Sequence, residues 1–169
     1  MHLTDHSRIC DAIWFKVAED LGRFFINEFC LITGMKCVGS TYFAPTVENR
    51  LMSRYVSTLR ALSREHLEVQ LSNAKFDNDD NVVKLGLLYM IFCIFLANAN
   101  YVKIDPKYFA LADNLEEFNV FPWGVLSWEA TRAAIYNAIE NRLSSKRRPL
   151  NKADKVCYSI AGFPHALLD

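Results

Sequence analysis

The chain has 169 residues, of which 51% are hydrophobic, and its nineteen basic and nineteen acidic side chains cancel. That length is most simply one domain, with a core large enough to fold without a metal or a disulfide. Zero net charge removes any global steering toward nucleic acid or an anionic membrane, and weak self-repulsion favours a partner surface.

Residues 1–11 are polar and carry both charge signs, so they read as a flexible N-terminus and not as a secretory signal. A single helical domain is expected over residues 12–169. The five cysteines, Cys10, Cys30, Cys37, Cys93 and Cys157, are scattered, with no Cys-x-x-Cys pair. They read as reduced thiols of the nucleus or cytoplasm, with Cys30 and Cys93 as small core residues.

Two short aromatic runs, 12–17 and 23–26, flank Ala18-Glu19-Asp20-Leu21-Gly22 and predict a β-hairpin. Asn27 reads as an N-cap with Glu28 in the first turn, and Gly34 as the stop of a helix over 29–33. Residues 38–45 read as a loop. Over 46–62 the helical spacing puts Leu51, Tyr55, Leu59 and Leu62 on one face, with Arg50, Arg54, Arg60 and Arg64 opposite. Ser63 is placed to start a new helix through Asn73, which would break that arginine row after Arg60. Residues 76–81 read as a polar loop.

Residues 82–99 are the most apolar stretch. A bilayer span needs about 20 mostly apolar residues, but Gly86, Asn98 and Asn100 dilute this one and amphipathic helices surround it. It reads as the central buried helix, with Leu88 and Phe92 in the core and no membrane partner. Asp105-Pro106 starts a helix expected to reach Phe118. Phe121-Pro122-Trp123-Gly124 then forms an aromatic corner. Ser127 is expected to cap a long helix with Trp128 buried and Ile135, Ile139 and Leu143 along its stripe. Lys146, Arg147 and Arg148 close it, and Pro149 ends it. Gly162 and Pro164 open a short final helix. With Trp14 and Phe29, the residues Leu88, Phe92, Phe121, Trp123 and Trp128 are the expected core.

Three separated blocks carry a resemblance. The first joins Trp14-Phe15-Lys16-Val17 to Phe25-Ile26-Asn27-Glu28-Phe29-Cys30-Leu31-Ile32-Thr33-Gly34-Met35. The second joins Val83-Lys84-Leu85-Gly86-Leu87-Leu88-Tyr89 to Ala112-Asp113-Asn114-Leu115-Glu116-Glu117-Phe118-Asn119 and the Phe121-Pro122-Trp123-Gly124 corner. The third runs from Tyr158-Ser159-Ile160-Ala161-Gly162 to Phe163-Pro164-His165-Ala166-Leu167. Their order resembles a plant domain-of-unknown-function family found in Mutator-like transposable elements, upstream of SUMO-protease-like peptidase domains. The pattern is similar, more weakly, to the plant mobile domain. The resemblance implies plant origin and transposon ancestry but supplies no catalytic residue. The peptidase domain is absent, and the last block stops before the family's aromatic-acidic helix, so a cut from something longer is expected.

Catalysis finds little support in the residues. A peptidase needs a cysteine activated by an oriented histidine, and neither Cys157 with His165 nor Cys93 with His66 has that context. His2, His6 and Cys10 fall short of a zinc set. Asp79-Asp80 and Glu116-Glu117 read as solvated acids. No glycine-rich phosphate loop or cofactor motif occurs. The expectation is therefore a mainly α, non-catalytic protein-interaction module with a small N-terminal β-hairpin and an unknown protein partner. The competing expectation is a nucleic-acid-binding module. It would use Arg50, Arg54, Arg60 and Arg64 with Lys146, Arg147 and Arg148 and the nearby Lys152 and Lys155; the run from Lys146 to Lys155 reads alternatively as a nuclear localisation signal.

Overall fold

In the computed structural model, residues 12–43, 49–56, 62–97 and 102–145 are described, together with Gly162 and Pro164. The chain is mostly helical with one small antiparallel sheet at its start. Strands β1 (Ile13–Val17) and β2 (Asp20–Phe24) pair with Ile13 opposite Phe24 and Phe15 opposite Gly22. The turn is Ala18-Glu19, with Ala18 at φ 53°. Gly22 is not the turn residue the sequence implied. It is the bare spot on which the Phe15 ring lies, since a Cβ there would collide with that ring.

Side chains alternate across a strand. Ile13 therefore faces the interior at 6% exposure, while Trp14 faces solvent at 43%. The expectation of a buried Trp14 is thus corrected: a two-stranded ribbon has one covered face, and Trp14 lies on the other.

Helix α1 (Ile26–Thr33) starts two residues earlier than the Asn27 cap predicts. Phe25 occupies the cap position, and the Glu28 carboxylate reaches back to accept from its N–H at 2.9 Å. Gly34, at φ 69°, supplies the left-handed residue that ends the helix. Ile13, Phe29, Cys30 and Trp128 form one buried cluster, with Phe24 and Ile135 packed on it. Phe29 and Trp128 meet at 5.6 Å between ring centres.

The second, larger cluster is built from helices that begin on polar caps. The Asn49 side chain caps α2 (Arg50–Tyr55), Ser63 caps α3 (Arg64–Asn73) and Asn78 caps α4 (Asp79–Tyr89). Each accepts from a backbone N–H of the first turn, satisfying a donor the helix leaves orphaned. The break at Ser63 follows the sequence. The helix expected over 46–62 is seen only as α2, and the loop expected over 76–81 is shortened because Asn78 starts α4.

The apolar stretch forms α4 and then a π-helical segment, Met90–Phe95. Leu85, Leu88, Ile91 and Phe92 are buried, but Val82, Val83 and Ile94 are exposed. The end of this rod is satisfied from outside. Ser127 Oγ donates to the Phe95 carbonyl at 2.8 Å, and the Gly162 N–H to the Leu96 carbonyl at 2.6 Å. Among the described residues, no helix is long and apolar enough to cross a membrane.

Helix α5 (Lys107–Asp113) follows Asp105-Pro106, with Asp105 Oδ1 accepting from the Lys107 N–H at 3.0 Å. It stops at Asn114 and does not reach Phe118. The Asn114 side chain instead caps a separate helix, α6 (Leu115–Val120), by accepting from Glu116 and Glu117. Helix α7 (Trp123–Ser145) begins immediately after Pro122. Ser127 is therefore not its cap but a buried residue inside it, 1% exposed, spent on Phe95. Ile139 is exposed, so the predicted stripe on α7 fades beyond Ile135. The side chain of Leu143 lies outside the described residues.

Candidate functional site

The arginine row is the first candidate. Arg50 holds Asp113 with two bonds, Nε to Oδ2 at 3.0 Å and Nη2 to Oδ1 at 2.6 Å. The same Nη2 donates to Asn81 Oδ1 at 3.0 Å. Arg54 grips Asp77 in the same fork, at 2.9 and 2.7 Å. Arg64 pairs with Glu68 one turn along α3 at 3.0 Å. The row is thus divided between two helices and spent on carboxylates. Arg60, Lys146, Arg147 and Arg148 lie outside the described residues.

The Arg50 and Arg54 pairs belong to a charged lattice joining α2, the start of α4 and α5. Lys84 Nζ bridges Asp80 at 2.7 Å and Asp113 at 3.2 Å. Asn81, 1% exposed, donates to Tyr55 Oη at 2.9 Å, and Tyr55 Oη donates to Asp77 at 3.0 Å. Hydrogen bonds from Arg50 hold the Asp113 carboxyl below the usual carboxylate range, with Lys84 adding to them. Arg54 does the same to Asp77, and Asp80 raises Lys84. Three cations, Arg50, Arg54 and Lys84, thus meet three carboxylates, Asp77, Asp80 and Asp113, in one charge-balanced clamp.

The aromatic corner is the second candidate. Phe121, Trp123 and Phe118 are 4%, 7% and 4% exposed. Trp123 packs with its ring tilted against Phe121 at 4.5 Å and against Phe118 at 4.8 Å between ring centres. Tyr108 closes the group from α5, 5.7 Å from Trp123. The Trp123 indole N–H donates to the Phe118 carbonyl at 2.9 Å. With ring and donor both satisfied inside, the corner offers no stacking platform to a ligand. It is the joint that turns α6 into α7.

The third candidate is a groove between α3 and α4, which sequence reasoning missed. It has a volume of about 490 Å³ and is lined by the apolar Leu71, Phe76, Val82, Gly86 and Tyr89 together with Glu68 and Ser72. Val82, Gly86 and Tyr89 recur along the outer face of α4 at helical spacing. A Cβ on Gly86 would meet nothing within 4 Å. Gly86 therefore serves no internal packing, although glycine costs a helix interior roughly 0.5–1 kcal/mol relative to alanine. That unexplained glycine was the available signal.

Residues 6–134 match the family described as a domain of unknown function, DUF1985. The chain belongs to this family. No curated protein and no solved structure matches it.

Against the chemistry of a peptidase, burial pushes the Cys93 thiol up to about 11, and its polar neighbours are Arg64 and Glu68. His66 is engaged at the start of α3, its Nδ1 2.7 Å from Ser63 Oγ. Asp80 is spent on Lys84, and Glu116 and Glu117 sit in the first turn of α6. Among the described residues, no group of three or more His, Cys, Asp or Glu is placed to hold a metal ion. His2, His6, Cys10, Cys157 and His165 lie outside them.

Proposed function

We propose that this domain is a non-catalytic protein-interaction module of a transposon-derived plant protein, acting in the nucleus or cytoplasm. The observation that carries the reading is the α3–α4 groove with Gly86 in its wall. A bare glycine on an exposed apolar face admits a second backbone closely, as a helix laid in a groove requires. The occupant is an amphipathic helix of a partner protein, with a small residue against Gly86 and Lys or Arg along its flank. The basic flank follows from charge: Glu68 lines the groove, only one of its carboxylate oxygens being bonded to Arg64, and Asp79 precedes Val82 by one turn on α4. The plant and transposon context rests on the resemblance of the three sequence blocks.

The test captures partners from plant nuclear extract on the wild-type domain beside Val82→Lys/Tyr89→Lys and Gly86→Gln. Circular dichroism checks that all three fold. A basic partner helix cross-linked to α3 and α4, and lost from both variants, is expected. A partner retained by both variants, or cross-linked elsewhere, overturns the reading.

Nucleic-acid binding is weakened as a competitor because Arg50, Arg54 and Arg64 already hold carboxylates. A salt-sensitive shift with duplex DNA or single-stranded RNA would revive it. Arg50→Glu with Arg54→Glu is a poor control, since it sets like charges against Asp113 and Asp77.

A further inference from the structure

The stop of α1 brings two thiols together. Beyond Gly34 the chain turns back, and Cys37 packs on the cluster that contains Cys30. Cys37 is thus a neighbour of Cys30 within that cluster, its presence raises the Cys30 thiol further above the value burial gives it, and both are free. Gly124, in the first turn of α7, sets the floor beneath them. Its N–H donates to the Lys36 carbonyl at 2.9 Å. A Cβ at Gly124 would lie 2.6 Å from Cys30 Sγ and 2.9 Å from the Lys36 oxygen. Cys30 Sγ and the peptide bond leading into Cys37 thus face the same small space from two sides. Cys30 is 6% exposed, whereas Cys37 is half-buried and the more accessible of the two.

We propose that Cys30 and Cys37 form a reversible dithiol–disulfide site, oxidised by a low-molecular-weight disulfide such as glutathione disulfide. Cys37 reacts first because solvent reaches it. Its thiolate bonds to one glutathione sulfur, the glutathione S–S bond breaks, and one glutathione thiolate leaves. Cys30 then gives its proton to solvent and attacks the Cys37 sulfur of the mixed disulfide. The second glutathione leaves as its thiolate. The protein loses two electrons and two protons, and glutathione disulfide becomes two glutathione thiols. Burial pushes Cys30 up to about 12, so it does not react alone and waits for a mixed disulfide held against it. The bond would tie the end of α1 to the segment pinned on Gly124, fastening the hairpin cluster to the aromatic corner.

The test equilibrates the full chain with reduced and oxidised glutathione at varied ratios, then traps thiols by alkylation and maps peptides by mass spectrometry. Cys30 and Cys37 should lose alkylation together, at one ratio, with a cross-linked peptide two hydrogen masses lighter. Dithiothreitol should reverse the change. Cys37→Ser should abolish the cross-link and leave Cys30 fully alkylated after unfolding. Cys30→Ser should leave glutathione fixed on Cys37. Either of two results overturns the proposal: a mixed disulfide that persists on Cys37 in the wild type, or a bond from Cys37 to any cysteine other than Cys30.

Discussion

The aromatic corner and the α3–α4 face are made of similar residues and reach opposite states. At the corner, Tyr108, Phe118 and Trp123 from three helices and Phe121 from the turn between α6 and α7 cover one another. On the α4 face, Val82 and Tyr89 stay 43% and 36% exposed around an open groove. Each region also holds a helical glycine. Gly124 is crowded by Cys30 and Lys36, and Gly86 by nothing. Apolar content alone does not tell a joint from a docking face. Whether the chain itself supplies the covering atoms does.

The contrast can be broken in four ways, from the largest effect to the smallest. Trp123→Ala removes the packed ring and strands the Phe118 carbonyl, so it should destabilise by roughly 3–5 kcal/mol in denaturant unfolding. Unchanged stability with lost partner binding would make the corner a binding site after all. Gly124→Ala drives a methyl against Cys30 Sγ and the Lys36 carbonyl and should cost roughly 1–3 kcal/mol. A neutral result would mean the floor beneath the thiols yields freely.

The third concerns the charged clamp. The Asp113 carboxyl is depressed below its unfolded value, which is about 3.9. Its contribution is therefore present above about pH 4 and is lost as pH falls through the depressed folded value. Asp113→Asn should be less stable than wild type at neutral pH, and the gap should close in acid. A gap constant down to pH 2–3, or roughly there, would show that the carboxylate charge is not what Arg50 and Lys84 hold. The smallest effect is Gly86→Ala. It should stabilise by about 0.5–1 kcal/mol while weakening the partner, the opposite sign from Gly124→Ala. Destabilisation would mean that the α4 face is packed after all.

Much of the element order was legible because its signals are short-range. The hairpin, the Gly34 stop, the Ser63 start and the buried rod with Leu88 and Phe92 all read from neighbours a few residues apart. Boundaries failed where a rival cap lay equally close. Asn114 divided the helix expected to reach Phe118, and Phe25 with Glu28 displaced Asn27. Ser127 looked like a cap because Ser before Glu129 is a cap pattern. Its hydroxyl is instead committed to Phe95, thirty-two positions earlier.

What the sequence determined by itself is the mainly helical class, the hairpin, the apolar rod and the aromatic turn, since propensity, capping and periodicity act along the chain. The tertiary structure alone decided which charges are free and which apolar faces are covered. Arg50 meets Asp113 across sixty-three positions, and Cys37 packs against the cluster that holds Cys30 only after Gly34 turns the chain back. Trp14 stays outside because a two-stranded ribbon covers one face. Burial and ion pairing are properties of space between elements, and no local pattern encodes them.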